Sequence, residues 1–230
     1  MNTLEACLHQ VPYFASLEPG VLRELAAAVR ERKYEAGESV LFEGDPCEGL
    51  YVIVSGRVKV FKLSVDGKEQ VLRILGAGRT CNDVPVFDDG RNPGSVAALE
   101  ASRLVLVPKA RIRALVERHP RVAAAVIRLL AERLRALTLM VEDLSLRSVV
   151  ARVAKLLLDC THGRSTLIEG TACCQHLTQH QIATMVGSVR EVVQRALKAL
   201  EKDGAIRMER GRIVVLDPKS LERWSQVEAM

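Results

Sequence analysis

The sequence predicts an α+β protein in three parts: an N-terminal antiparallel β-roll, a long helix and a C-terminal winged helix-turn-helix. Three observations support this: short β-rich runs between turn residues, one long helical repeat near the middle, and two helical patterns that meet at a glycine. With 230 residues and 48% apolar content, the chain can bury more than one core. We place the domains at residues 1–116, 117–147 and 148–230.

The N-terminal part begins with helical spacing and then changes to strand patterns. Leu22, Leu25, Ala26 and Val29 recur at helical intervals, and the pattern changes at Gly37. Turn residues such as Asp66-Gly67 separate the β-rich runs that follow. We predict strands at residues 39–42, 50–55, 58–63, 69–75 and 95–107. Many short strands with tight turns predict a small antiparallel barrel or jelly roll.

The middle of the chain predicts one long helix. Pro120 occupies a position where a helix can begin, and the apolar residues beyond it recur at alternating spacings of three and four. The alternative is a core-facing amphipathic helix, but charged residues cover the remaining faces of a stretch too long to need that whole apolar stripe locally. We therefore expect a parallel homodimer. Its seam comprises Ile127, Leu130, Leu134, Leu137, Val141 and Leu144.

Residues 177–204 predict two helices that share one tight turn. Thr178 takes the N-cap position of the first helix, Gly187 supplies the backbone freedom that the turn needs, and Ser188 can cap the second helix. A helical run at 149–158 and a polar loop at 159–170 precede this pair, and the β-rich stretch 205–216 around Arg210-Gly211 predicts a hairpin. The predicted buried stripe of the second helix comprises Val192, Ala196, Leu197 and Leu200.

The outer face of that second helix has side chains suited to the major groove of DNA. Arginine pairs with O6 and N7 of guanine, and glutamate accepts from N4 of cytosine, which gives roles to Arg190, Glu191 and Arg195. The alternative is a solvated helix face on which Glu191 and Arg195, four residues apart, form a surface ion pair. We expect the basic side chains in and near the hairpin to contact the phosphates of DNA. They are Lys198, Lys202, Arg207, Arg210 and Arg212.

The helix-turn-helix closely resembles that of the CRP/FNR family of transcription regulators, whose core reads V-G-x-x-R-E-x-V-x-R-x-L. The segments 42–45 and 54–58 also resemble the family's effector domain. The resemblance implies a homodimer with a cyclic-nucleotide-binding-like roll, a near-palindromic operator on double-stranded DNA and, for an activator, RNA polymerase as a partner. The core is matched by Val186, Gly187, Arg190, Glu191, Val193, Arg195 and Leu197.

The resemblance also implies which side chains contact DNA. Val189 stands where relatives commonly have a hydroxyl residue, and an apolar side chain there can touch a thymine methyl but cannot donate a hydrogen bond. The preferred half-site is therefore expected to differ. The predicted contacts are Thr178, Gln179, Ser188, Val189, Arg190, Glu191, Gln194, Arg195, Lys198 and Arg210.

The predicted effector site departs from the pattern of cyclic-nucleotide-binding relatives. Those relatives hold the ribose with a Gly-Glu-Leu turn and the phosphate with an Arg-Ser pair. Here the corresponding residues are Asn82-Asp83-Val84 and Pro93-Gly94, so the charge partner of the phosphate is missing and cyclic AMP is disfavoured. Arg91 is the candidate substitute for that arginine. The candidate effector residues are Cys81, Asn82, Asp83, Arg91, Asn92 and Thr138.

The cysteines and histidines identify no metal site. The six cysteines form no C-x-x-C pair, so reduced thiols are expected. An iron–sulfur cluster is disfavoured because Cys7 stands alone near the N-terminus. Haem stays open, with Cys81 nearest the sensing position, and the alternative for Cys81 is a small buried apolar side chain. Oxidation at Cys47 or Cys81 would require a lowered thiol pKa. The cofactor is therefore unassigned.

The composition permits a nucleic-acid partner without proving one. The net charge is +5 and the pI is about 9.0. No apolar run reaches membrane-spanning length and the N-terminus does not resemble a signal peptide, so we expect a cytoplasmic protein with no membrane partner. No constellation of nucleophile, base or metal ligands suggests an enzyme. A signalling module that docks a protein partner is the remaining alternative, and the glycine turn, the Arg190/Glu191/Arg195 set and the hairpin argue against it.

Overall fold

The computed structural model describes residues 3–163, 165, 167–169, 177–209 and 212–226. The chain forms two compact units. The first comprises Met1–Leu63, Ile74–Arg133 and Glu169–Ala172, and the second comprises Ser64–Arg73, Leu134–Ile168 and Cys173–Met230. The domain limits predicted from the sequence remain a prediction.

Most strands follow one another in the N-terminal half and most helices in the C-terminal half, as expected for an α+β fold. The helices are α1 (Thr3–Gln10), α2 (Pro19–Ala28), α3 (Val84–Asp88), α4 (Lys109–Arg118), α5 (Pro120–Leu146), α6 (Val149–Thr161), α7 (Gln179–Val186), α8 (Arg190–Lys202) and α9 (Pro218–Ser225). The strands are β1 (Arg30–Tyr34), β2 (Ser39–Leu41), β3 (Gly49–Ser55), β4 (Val58–Leu63), β5 (Glu69–Leu75), β6 (Thr80–Cys81), β7 (Ser95–Ala98), β8 (Ser102–Pro108), β9 (Ile168–Glu169), β10 (Ile206–Glu209) and β11 (Arg212–Val215).

Two sheets form the N-terminal roll. One has the strand order β1-β8-β3-β6 and the other has the order β2-β7-β4-β5-β9. Alternate residues of β3 and β8 face opposite ways: Ile53 and Leu104 lie in the roll interior, whereas Leu50 and Val105 lie in a separate core with residues of α1, α2, α4 and α5. The predicted β-roll, long helix and winged helix-turn-helix are confirmed.

Several boundaries differ from those predicted. The single strand expected at residues 95–107 is two strands, β7 and β8. The strand pattern was expected to begin after Gly37, but β1 precedes it and pairs antiparallel with β8. Four of the five residues of β1 are charged, so the strand shows no apolar alternation that the sequence pattern could reveal.

Gly56 makes the tight turn between β3 and β4. Its φ of +84° favours glycine, and a Cβ there would lie 2.3 Å from Oγ of Ser102 and 2.7 Å from the carbonyl oxygen of Ala101. A side chain at this position would therefore separate the turn from the start of β8.

The second unit is mostly helical. The side chain of Ser148 caps α6 by accepting from the backbone N–H of Ala151 at 3.3 Å, and α6 packs against α7, α8 and α9. The predicted run at 149–158 extends to Thr161, and α9 was not predicted. Among the described residues, no helix has the length and apolarity to cross a membrane.

Candidate nucleic-acid interface

A reciprocal capping box fixes the start of α7. Oγ1 of Thr178 accepts from the backbone N–H of Gln181 at 3.1 Å, and Oε1 of Gln181 accepts from the backbone N–H of Thr178 at 2.8 Å. Thr178 is therefore the N-cap, as the sequence predicts. Its exposed position leaves the start of α7 accessible, and the predicted contact Gln179 is half-buried beside it.

The turn between α7 and α8 needs a glycine. Gly187 has a φ of +66°, and a Cβ there would lie 2.6 Å from Cδ2 of Leu144. The predicted cap of the second helix is wrong, because the N-cap is Val189 and no side chain caps α8. Ser188 lies within the turn instead, where its backbone N–H donates to the carbonyl of Ala183 at 2.9 Å.

The two faces of α8 separate apolar from polar side chains. Val193, Ala196, Leu197 and Leu200 are buried, so the predicted stripe is correct except that Val193 replaces the half-buried Val192. The correction follows from the start of the helix at Arg190, which sets the face that each later residue occupies. The exposed residues of the module include Val189, Arg190, Glu191, Gln194, Arg195 and Lys198.

Within the described part of the chain, the charged side chains on that exposed face of α8 form no ion pairs with one another. Among the residues that the structure describes, no ion pair joins Glu191 to Arg195 or to Arg190. The alternative of a self-satisfied surface helix therefore gains no support, and these groups keep their hydrogen-bonding capacity for a ligand. No metal-ligand cluster of His, Cys, Asp and Glu side chains was found within the described ranges.

The hairpin β10–β11 carries two of the arginines that are predicted to contact DNA phosphates. Arg207 and Arg212 are more than half exposed, and both bond to the carboxylate of Glu209, at 2.8 Å and 2.5 Å. Bonds from Arg212 and then Arg207 lower the pKa of Glu209, so the carboxylate is ionised at neutral pH and offsets half of the charge of the two arginines. Lys198 and Lys202 are exposed, while Arg210 lies outside the described residues.

Helix α5 exposes its predicted seam. Leu134 and Val141 are 67% and 63% exposed, and Ile127, Leu137 and Leu144 are also exposed; Leu130 is half-buried. A different stripe, Val122, Val126 and Leu129, faces the core. The core-facing alternative for the seam is therefore not supported, and the seam is an apolar surface that a partner helix would cover.

The carboxylate of Asp83, a predicted effector residue, already bonds to other side chains of the protein. It is buried and accepts from the hydroxyls of Thr80 and Tyr13, at 2.7 Å and 3.0 Å. Nη1 of Arg133 forms an ion pair with it, and Nη2 of Arg133 donates to the carbonyl oxygen of Thr80 at 2.9 Å. Burial alone would lower the pKa of Arg133, but the Asp83 carboxylate reverses this and raises it. An effector can reach Asp83 only if this network opens.

The structure brings two other predicted effector residues together. Asn82 and Asn92 line one cavity of about 240 Å³ with Arg32, Tyr51 and Phe42. Asn82 has a φ of +66°, and its amide donates to the carbonyl oxygen of Gly49 at 3.2 Å. A non-glycine residue in the left-handed region is uncommon outside turns and functional sites.

The remaining predicted effector residues do not line that cavity. Arg91 is exposed, and its guanidinium donates to the carbonyl oxygen of Gly44 at 2.8 Å. Cys81 is fully buried within the roll core. Thr138 lies on α5 in the second unit, where its hydroxyl donates to the carbonyl oxygen of Leu134 at 3.0 Å.

Two of the cysteines, Cys7 and Cys47, do not meet the requirement for a reactive thiol. Burial raises the pKa of both Cys7 and Cys47, whereas an oxidation sensor needs the opposite shift. Both carry free thiols, but Cys160 is disulfide-bonded, so the expectation of six reduced thiols is wrong at that position.

Sequence reasoning missed two residues of α5 by assigning them to the solvent face. Arg133 is only 11% exposed in its side chain and holds Asp83, and Asp143 is only 22% exposed. A signal was present, because Arg133 continues the buried stripe of Val122, Val126 and Leu129 at spacings of four, three and four.

Comparisons with known proteins agree with this arrangement. The cyclic nucleotide-binding domain matches residues 31–119, and the Crp-like helix-turn-helix domain matches residues 151–224. The chain is 31% identical over 221 residues to the CRP-like cAMP-activated global transcriptional regulator of Mycobacterium tuberculosis, covering 96% of this chain and 99% of the relative. It is also 31% identical over 211 residues to the cyclic AMP receptor protein of Thermus thermophilus, covering 92% and 95%.

Solved structures share the fold. The c-di-GMP responsive global regulator CLP of Xanthomonas campestris superposes with a TM-score of 0.74 at 23% identity, covering 86% of this chain and 99% of that one. At this identity the likeness concerns the fold alone.

Proposed function

Because the chain belongs to the CRP/FNR family of transcription regulators, we propose that it binds a near-palindromic promoter site as a homodimer and reads each half-site with α8. Family membership makes it a DNA-binding transcription regulator with a cyclic nucleotide-binding-like domain, and not an enzyme. It also implies homodimerisation. The proposal adds the form of the site and the residues that read it.

The observation that carries the proposal is the exposed face of α8. Arg190, Glu191 and Arg195 point away from the buried stripe, and no ion pair satisfies them within the described part of the chain. Arginine offers two donors to a guanine edge, and glutamate accepts from cytosine, so the set suits direct readout in the major groove. The exposed seam of α5 supports a two-fold dimer, which would place one α8 helix on each half-site of the DNA.

Selection of bound duplexes from a random library, followed by gel shifts, tests this function. We expect the selected sites to contain two related inverted half-sites whose centres lie about one helical turn apart. Binding should weaken steeply with salt, because phosphate contacts release counterions. Selected sequences without inverted symmetry, or equal binding to selected and scrambled duplexes, would contradict the proposal.

We further propose that the effector domain does not bind cyclic AMP in the usual way. Three observations support this: Asp83 is held by Arg133, Pro93 stands where relatives have the phosphate arginine, and the guanidinium of Arg91 bonds to the Gly44 carbonyl. A cyclic phosphate placed in such a site would lack its charge partner. The named relatives of Mycobacterium tuberculosis and Thermus thermophilus make cyclic AMP the ligand to test first.

Thermal unfolding with and without cyclic AMP at about 0.1 mM, which is about 100 times a Kd of about 1 μM, tests the proposal. Usual binding would stabilise the folded chain by about 2.7 kcal/mol at 100 times the Kd. We expect no shift for this chain, and a clear shift for the Mycobacterium tuberculosis regulator as positive control. A comparable shift in both proteins would overturn the proposal.

A further inference from the structure

The connection between α5 and α6 is short. Helix α5 ends at Leu146 and α6 begins at Val149, so only Arg147 and Ser148 lie between them. Ser148 is already committed as the N-cap of α6. With so little backbone between the two helices, side-chain contacts across the connection determine the angle at which they meet.

Asp143 makes the central contacts across this connection. Its carboxylate accepts from Nε of Arg147 at 2.8 Å and from Nζ of Lys155 on α6 at 2.6 Å and 2.8 Å. Arg147 in turn donates to the carbonyl oxygen of Ser225 in α9 and, at 3.3 Å, to the carboxylate of Glu142. One carboxylate on α5 therefore holds the connecting residue and the middle of α6 together.

The network continues to the helix-turn-helix. Arg152, on α6, donates from Nη1 to the carbonyl oxygen of Val186 at 2.5 Å, at the last residue of α7. Burial lowers the pKa of Arg152, and the charge of Asp143 acts against that shift. All of these residues belong to the second unit. The charge of Asp143 acts on Arg147, Lys155 and Arg152, and Glu142 makes a further contact with Arg147.

We propose that Asp143 is a positioning residue for DNA binding, which fixes the angle between α5 and α6 and thereby the separation of the two α8 helices in the dimer. The inference rests on the proposed homodimeric DNA binding. A dimer reads two half-sites only when their spacing matches its two recognition helices. Loosening this angle should therefore relax the spacing requirement and leave the reading of each half-site unchanged.

The test compares Asp143→Asn with Glu142→Gln, which removes the same charge from the neighbouring residue that makes only the 3.3 Å contact. Affinity is measured for the selected operator, for operators lengthened or shortened by one base pair between half-sites, and for a single half-site. Lys155→Met provides a second test of the same network. It removes one cation, while the carboxylate of Asp143 keeps its hydrogen bond from Arg147. Circular dichroism and sedimentation check folding and dimerisation.

The wild-type chain and Glu142→Gln should each lose about tenfold or more in affinity when the spacing changes by one base pair. In Asp143→Asn and Lys155→Met that loss should fall to about threefold or less, with single half-site affinity unchanged within about twofold. A merely structural role would weaken half-site binding as well. Full spacing discrimination in folded Lys155→Met would overturn the inference, whether or not Asp143→Asn folds. Absence of paired half-sites for the wild-type chain would instead contradict the proposed function.

Discussion

Arg195 is the side chain on α8 from which we expect the clearest single-residue effect. It is exposed, belongs to the second turn of the helix, and makes no ion pair with Glu191 within the described residues. Because a bidentate contact to guanine is lost, Arg195→Ala should reduce specific binding by about 1–3 kcal/mol. Fluorescence anisotropy on the selected operator and on variants at the contacted position measures this, with sedimentation to show that dimerisation is intact.

Lys198→Ala is the matched control on the same exposed face. As a phosphate contact, Lys198 should weaken binding to all duplexes alike and reduce the salt slope by about one. Arg195→Ala should instead relax preference at one base position. Unchanged operator affinity in Arg195→Ala would rule out the base-reading role.

At this scale the sequence predicts exposure better than it predicts partners. Helical periodicity places Arg195 opposite Leu197 and Leu200, and the structure agrees. Periodicity cannot show that Arg133 reaches Asp83, fifty positions earlier in the chain, because that contact depends on how the roll packs against α5. The same limit applies to Asp143, whose partner Lys155 lies on a different helix.

In the wing, one carboxylate pairs with two arginines. Glu209 bonds to both Arg207 and Arg212, so the two arginines carry less net charge toward DNA than their number suggests. Glu209→Gln keeps the size of the side chain and removes the compensating charge. We expect higher affinity for all duplexes. The slope of log affinity against log salt concentration should also become steeper, by the equivalent of up to about two phosphate contacts.

Anisotropy with a scrambled duplex over a range of salt concentrations measures that effect. Glu222→Gln on α9 removes the same charge from an exposed position and is the control. Equal salt slopes for the two variants would show that Glu209 does not restrain the wing arginines.

Elements were predictable where local chemistry determines them. The capping box at Thr178 and the left-handed glycine at position 187 are readable because each depends on residues within one turn. The cap of α8 was misplaced, because Ser188 and Val189 compete for the same position and the turn geometry decides between them. Strand β1 was missed because its charged residues give no apolar alternation. Helix α9 was missed because it follows a wing whose length the sequence does not determine.

On the scale of the whole molecule, α5 has two apolar stripes with different roles. One, including Val126 and Leu129, is buried in the protomer, whereas the seam with Leu134 and Val141 is exposed. The alternating spacing predicts the seam from sequence, but burial is what distinguishes it from the core stripe. The effector site shows the opposite case, since Asn82 and Asn92 share a cavity that nothing in their spacing reveals.

The seam provides the test of assembly, with the double variant Leu134→Glu/Val141→Glu. Both positions are mostly exposed in the protomer, so folding should be retained, while like charges facing each other in the dimer should prevent association. Sedimentation should show a monomer, and operator affinity should fall by about 100-fold or more because the two half-sites are no longer bound together. Arg135→Glu makes the same change in net charge next to the seam and should remain dimeric. A dimeric double variant would show that these chains associate through another surface.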